Sequence, residues 1–231
     1  MIISEIFGPT LQGEGPSSGR PCGFVRLGRC NLTCTWCDTP YTWDWKGLNG
    51  IIYEPSKELR NIPVAEVASK LIGMEVPMVV VTGGEPLIHR KDITELVELL
   101  SPTMRIEVET NGTLETWPEL RTAVHQFNVG VKLANSGVEE NRRLVPKAIE
   151  SFPADQSILK FVVDSPQDIG EVKEIQQRFG IEDSRIWIMP EGKTMEEIVA
   201  VTTQVAPLVI EKRWNLTSRL QVQLWGDQRG V

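Results

Sequence analysis

Short runs of apolar and β-branched residues recur along this chain, and most are followed by a segment with helical spacing. Cys22–Leu27, Met78–Thr82, Arg105–Glu109, Asn128–Leu133, Ile158–Val163 and Ile186–Met189 read as strands. Val64–Ile72, Ile93–Leu100, Ile169–Phe179 and Met195–Ala206 read as helices, with Pro63 opening the first and Gly180 closing the third. Met78–Thr82 is continuously apolar up to its threonine, the pattern of a strand buried on both faces. Leu220–Trp225 reads as a last, late strand. Alternating β and α elements give parallel strands joined by right-handed crossovers. In 231 residues this predicts an α/β fold, an incomplete (βα) barrel with about six parallel strands, forming a single domain over 1–231.

In such folds the chemistry collects at the C-terminal ends of the strands. The unusual residues of this sequence fall there. Cys30–Cys37 follows the first predicted strand, Gly83–Pro86 the second and Glu109–Gly112 the third. Lys132, Asp164 and Met189–Gly192 close the remaining three.

Three of the four cysteines form a C-x3-C-x2-C segment, Cys30, Cys34 and Cys37. Thiolates are soft ligands suited to iron–sulfur clusters or zinc. A tetrahedral zinc site wants a fourth ligand, and Cys22, His89 and His125 lack zinc-like spacing. Three thiolates on a four-iron cubane leave one iron open, and an open iron can chelate the amino and carboxylate groups of S-adenosylmethionine (SAM). Reduction through the cluster would then cleave the sulfonium and give a 5′-deoxyadenosyl radical. Zinc binding and three reduced core cysteines stay as alternative readings. Cys22 reads as a small buried residue. Trp36, Trp43 and Trp45 lie in or just after the segment, as walls for a cofactor or as ordinary packing.

Charge and composition bound the partners. The net charge of −7, with acids and bases interspersed, argues against general nucleic-acid binding. No apolar run is long enough to span a membrane, and the chain opens without a basic signal-peptide region, so a reducing, cytoplasmic location is expected.

Cys30-x3-Cys34-x2-Cys37 together with Val81-Thr82-Gly83-Gly84-Glu85-Pro86 resembles the radical SAM superfamily. The resemblance implies that Gly83, Gly84 and Glu85 border the SAM amino group, where glycine permits close approach and a carboxylate suits an ammonium. It also assigns Trp36, Asp38, Val131, Lys132, Met189 and Pro190 to SAM. Further residues narrow it: Phe7-Gly8-Pro9-Thr10-Leu11-Gln12-Gly13-Glu14-Gly15, Phe24-Val25-Arg26-Leu27, Asp38-Thr39-Pro40-Tyr41-Thr42-Trp43 and Glu109-Thr110-Asn111-Gly112. These resemble the 7-carboxy-7-deazaguanine synthase family. That resemblance is strongest over 5–43 and 79–112 and weak over 45–62 and 195–231.

The resemblance implies a homodimeric carbon–nitrogen lyase with a radical SAM type of incomplete barrel. Its substrate would be 6-carboxy-5,6,7,8-tetrahydropterin and its product 7-carboxy-7-deazaguanine. A [4Fe–4S] cluster, SAM and Mg²⁺ are the implied cofactors, with flavodoxin or ferredoxin as electron donor. Leu11, Gln12, Gly13, Glu14, Arg26 and Thr82 would border the pterin, and Thr39 would ligate Mg²⁺. The residue types are compatible: an amide and a carboxylate match a pterin edge, Arg matches a carboxylate substituent, and hydroxyl oxygen suits Mg²⁺. Arg26 also fits a buried ion pair, Gln12 and Glu14 fit a solvated loop, and Thr39 fits a turn. Where the family commonly has Ser-Pro-Lys, this chain has Gly130-Val131-Lys132, leaving a backbone group or Ser136 to replace the serine contact. The rival readings are an activating enzyme for a glycyl-radical partner, another radical SAM reaction, and a regulatory metal-binding module.

Overall fold

The strands of this protein are two-faced, and that alternation decides where its core and its cavity lie. The computed structural model describes residues 1–231. It contains nine strands: β1 (Ile2–Leu11), β2 (Pro21–Leu27), β3 (Arg60–Asn61), β4 (Met78–Gly83), β5 (Arg105–Thr110), β6 (Gln126–Gly130), β7 (Ser157–Val163), β8 (Ile186–Pro190) and β9 (Asn215–Leu216). They form one sheet in the order β3-β1-β2-β4-β5-β6-β7-β8-β9. Pairing is parallel from β2 through β9. It is antiparallel where β1 meets β2 and β3. The sheet does not close, and the two-residue strands β3 and β9 are its edges.

Alternate residues of the parallel strands face opposite ways. Val25 and Leu27, Val79 and Val81, Ile106 and Val108, Leu159 and Phe161, and Ile186 and Ile188 belong to one buried cluster. The helices Val64–Ile72, Arg90–Leu100, Asp168–Phe179 and Met195–Lys212 complete it with Val67, Leu71, Ile93, Leu96, Val172, Ile175, Val205 and Val209. Each such side chain contributes about 1.5–3 kcal/mol on burial, so this face holds the fold together. The intervening residues Arg26, Thr82, Glu109, Asn128, Lys160 and Met189 look the other way and line a cavity.

Four sequence expectations need correction. Leu220–Trp225 is a helix, not a strand. The last strand is Asn215–Leu216, beside β8. The chain also begins with a ten-residue strand, Ile2–Leu11, that the apolar-run reading missed; its Gly8-Pro9 and two register shifts against β2 break the alternation. β6 ends at Gly130, so Lys132 lies two residues beyond the strand rather than at its end. The last long helix runs on through Pro207 to Lys212.

Candidate active site

Parallel pairing brings Leu27 level with Gly83, so the cysteine loop and the Gly-Gly turn leave the sheet side by side. Backbone hydrogen bonds fix both. Gly84 N–H donates to Leu27 O at 3.1 Å, Glu85 N–H to Arg29 O at 2.8 Å and Arg29 N–H to Thr42 O at 2.7 Å. A Cβ on Gly84 would stand 2.2 Å from the Arg29 carbonyl oxygen and 3.0 Å from Cys30 Cβ. Only glycine permits this approach. Asn111 Nδ2 donates to Asn31 Oδ1 at 2.9 Å, and Asn31 Nδ2 donates to Thr113 Oγ1 at 2.7 Å, tying the loop after β5 to the same segment.

Cys30, Cys34 and Cys37 pack together around Leu32 and Val138. Burial pushes the Cys30 thiol up to about 12 and raises those of Cys34 and Cys37. Such thiols ionise when a metal supplies the countercharge. No three His, Cys, Asp or Glu side chains converge as ligands of a single metal ion would. A polynuclear cluster, in which each thiolate binds its own iron, fits three neighbouring thiols of this kind. Cys22 stands apart on β2, fully buried among Phe24, Met78 and Val80, its thiol raised to about 12 by burial and by Glu109 and Glu107.

The cavity has a volume of about 520 Å³, within the range of small-molecule sites. Its lining includes the three cysteines, Trp36, Asp38, Thr39, Gly83, Gly84, Lys132, Met189 and Pro190. Lys132 Nζ sits 5.2 Å from the centre of the Trp36 ring. It also includes Leu11, Gln12, Gly13, Glu14, Arg26, Thr82 and Glu109. Gln12 Nε2 donates to Glu109 Oε1 at 3.1 Å, and Thr82 Oγ1 donates to Glu109 Oε2 at 2.9 Å. Glu109 has no cationic partner within salt-bridge distance, and its carboxylate keeps lone pairs for a ligand donor.

Glu14 is the centre of a second network. Lys160 Nζ and Gln221 Nε2 donate to its carboxylate, the latter at 2.8 Å, and Arg219 Nε lies 3.5 Å away. Burial alone would raise the Glu14 carboxyl, but the Lys160 and Arg219 cations hold it at about 2. Arg219 reaches further, donating from Nη2 to Asp38 Oδ2 at 2.8 Å and from Nη1 to Gly192 O at 2.6 Å. It thereby joins the glycine loop, the cysteine loop and the loop after β8. Arg26 donates from Nε to Glu5 Oε2 at 2.8 Å, which also accepts from Tyr41 Oη at 3.0 Å. The ion pair and the cavity wall are therefore both true of Arg26: its terminal nitrogens make no hydrogen bond to the protein.

Two residues assigned to SAM from the motif do not present side chains to the cavity. Glu85 is fully buried, and its carboxylate accepts from Leu87 N at 2.9 Å, Thr110 Oγ1 at 2.8 Å and Asn111 N at 2.7 Å. It holds the loop after β5 rather than reaching for an ammonium. Val131 points into the main hydrophobic core. Ser136 is no substitute for the missing serine, because its hydroxyl is buried and donates to Leu133 O at 2.7 Å. Conversely, the sequence reading left out Asn128, Lys160, Arg219 and Gln221, all in the cavity wall. A lysine inside the otherwise apolar run Ile158–Val163 was the available signal.

Residues 25–151 match the model of the Radical SAM superfamily. A 7-carboxy-7-deazaguanine synthase from Pyrobaculum aerophilum is 34% identical over 230 residues, covering 99% of this chain and 96% of the relative. The chain belongs to the 7-carboxy-7-deazaguanine synthase family. A second member of the family, from Halobacterium salinarum, is 34% identical over 251 residues, covering 97% of this chain and 90% of the relative. The crystal structure of QueE from Escherichia coli superposes with a TM-score of 0.70 at 26% identity, covering 95% of this chain and 93% of that one. Streptococcus suis SuiB bound to S-adenosylmethionine shares the fold alone, with a TM-score of 0.51 at 15% identity over 82% of this chain and 47% of that one. This is a radical SAM enzyme with a mostly parallel, unclosed sheet, as the family resemblance implied.

Proposed function

We propose that this enzyme converts 6-carboxy-5,6,7,8-tetrahydropterin to 7-carboxy-7-deazaguanine with loss of ammonia, holding a [4Fe–4S] cluster on Cys30, Cys34 and Cys37. The observation that carries this reading is one continuous cavity. Its walls include Cys30, Cys34 and Cys37 as well as Gln12, Glu14, Thr82 and Glu109. When bound, the cluster and SAM supply a carbon-centred radical able to take a hydrogen atom from the substrate.

The chain's own residues do the rest. Gly83 and Gly84 leave room beside the cysteine loop for the amino-acid end of SAM. Trp36, Lys132, Met189 and Pro190 wall the remainder of that molecule. Glu109, oriented by Gln12 and Thr82, accepts from N–H groups of the pterin ring. Arg26 meets the substrate carboxylate with the terminal nitrogens that Glu5 leaves free. Glu14 is kept ionised by Lys160 and Arg219, which fixes the loop Leu11–Glu14 against the ring. Thr39 would offer its hydroxyl oxygen to a Mg²⁺ ion, which would supply a hard-cation partner for the substrate carboxylate. Flavodoxin or ferredoxin as reductant, a homodimeric state and a cytoplasmic location complete the reading.

The test is anaerobic reconstitution followed by incubation with SAM, reductant, Mg²⁺ and the carboxypterin, with product mass as the readout. Formation of 7-carboxy-7-deazaguanine is expected, with a lower rate under strict chelation of Mg²⁺. Release of 5′-deoxyadenosine with an unaltered pterin would leave a radical SAM enzyme of another reaction.

A further inference from the structure

The three cysteine sulfurs are not equivalent in what surrounds them. Cys30 Sγ accepts the Leu32 backbone N–H at 3.4 Å and lies 3.9 Å from Asn111 Nδ2. Cys37 Sγ accepts the Trp43 indole N–H at 3.3 Å, with the Thr39 hydroxyl 3.7 Å away. Cys34 Sγ has no side-chain donor within reach. Indole nitrogen is a donor only, so the direction of the Trp43 contact is fixed whatever the state of the sulfur.

The segment that carries Trp43 is built to hold it there. Thr42 N–H and Trp43 N–H donate to Thr39 O and Pro40 O, each at 3.0 Å, and Asp44 N–H donates to Pro40 O at 2.7 Å. The Asp44 carboxylate then accepts from the backbone of Lys46, Leu48 and Asn49 at 3.2, 3.0 and 2.8 Å. Asn49 Nδ2 returns to the cysteine loop, donating to Cys34 O at 3.3 Å. This closed circuit of turns aims one N–H at one sulfur.

We infer that Trp43 sets the reduction potential of the cluster through a hydrogen bond to the Cys37 thiolate, a positioning and tuning role beyond covering the site. The inference rests on the reading of Cys37 as a cluster ligand. A reduced cluster carries one more negative charge, part of it on the ligand sulfurs. A donor on such a sulfur therefore favours the reduced form over the oxidised form, and hydrogen bonds to the sulfurs are among the factors that set cluster potentials. Thr39 adds its backbone N–H and a longer hydroxyl contact that turns either way, and Trp43 is the strongest of these donors at Cys37.

Trp43→Phe keeps an aromatic wall and removes the N–H. The measurement is a redox titration of the reconstituted enzyme, following the EPR signal of the reduced cluster, with iron and sulfide content determined on the same sample. At the wild-type midpoint the reduced-to-oxidised ratio of the variant is expected to fall by about threefold to tenfold, or roughly 30–60 mV for a one-electron couple. Trp45→Phe, which removes an indole with no sulfur contact, should leave the potential in place. An unchanged potential in a fully loaded Trp43→Phe enzyme overturns the inference. If that variant fails to load, the wild type decides: pulsed EPR on protein carrying ¹⁵N-indole tryptophan should reveal an exchangeable proton and a nitrogen coupled to the cluster, and their absence overturns it as well. A cluster retained in Cys37→Ala would instead sink the ligand assignment, and this inference with it.

Discussion

Arg219 is the residue whose removal should separate radical formation from its use. Its guanidinium is buried and spans Asp38, the Gly192 carbonyl and the Glu14 carboxylate. Arg219→Gln removes all three contacts at once. The Gly192 carbonyl is left without its donor in a buried position, at a cost of about 1–3 kcal/mol. The Asp38 side chain is 50% exposed, so water takes over most of that contact and its loss adds only about 0–1 kcal/mol. Glu14 keeps Lys160 and Gln221 and stays satisfied. The sum is about 1–4 kcal/mol, which at roughly 2–4 °C per kcal/mol for a chain of this size lowers the melting midpoint by about 5–10 °C near the centre of the range. The second effect is geometric. With the cysteine loop no longer tied to the loop Leu11–Glu14, 5′-deoxyadenosine released per 7-carboxy-7-deazaguanine formed should rise well above wild type. Arg219→Lys retains a charge but lacks the fork needed to reach both Asp38 and Gly192, so it should fall between the two. The assays are thermal unfolding by circular dichroism and quantitation of both products in one reaction. A midpoint within about 1 °C of wild type, together with unchanged stoichiometry, would refute the coupling argument.

Cys30→Ala, Cys34→Ala and Cys37→Ala should each lose the visible absorbance of the cluster, whereas Cys22→Ala should keep it, since Cys22 is sealed in a separate apolar cluster; iron quantitation checks this. Glu14 is depressed below its ordinary 4.5 to about 2, so its contribution to stability is complete above about 4.5 and is lost as pH falls toward 2. The stability gap between wild type and Glu14→Gln in urea unfolding should therefore close over that interval, and a gap that widened on acidification would reverse the sign. Arg26→Ala should cut carboxypterin turnover by about tenfold to several-hundredfold, at ~1.4 kcal/mol per decade, while uncoupled SAM cleavage continues; coupled turnover at the wild-type rate would make Arg26 purely a partner of Glu5.

The fold was legible where one face of a strand is relentlessly apolar. Val79 and Val81, or Phe161 and Val163, announce a helix-covered face whatever their partners do. The other face was harder to read, because it is polar for the sake of the cavity. Lys160 and Gln221 meet Glu14 across 146 and 207 residues of chain, a pairing that no local pattern encodes. Leu220–Trp225 has the period-two pattern of a strand, yet Leu220 N–H is bonded to Gly13 O at 3.0 Å and the segment coils into a helix there. The Gly-Gly-Glu-Pro motif suggested its glutamate as a partner for an ammonium, whereas the Glu85 carboxylate is buried and saturated by Leu87, Thr110 and Asn111. A sequence places a carboxylate near a turn without saying whether it serves a ligand or, as Glu85 does, the N–H groups of its own scaffold.

An unclosed sheet exposes two rows of unpaired backbone groups, and such rows invite other chains to add themselves on. Here the edges are β3 and β9, two residues each. β9 is too short to template a partner strand, but β3 pairs with only Ile2 and Ile3 of the ten-residue β1, so the rest of the outer edge of β1 has no strand partner. The outer edge of β1 is therefore the margin along which another chain would extend the sheet, while the β9 margin is closed to one by its brevity.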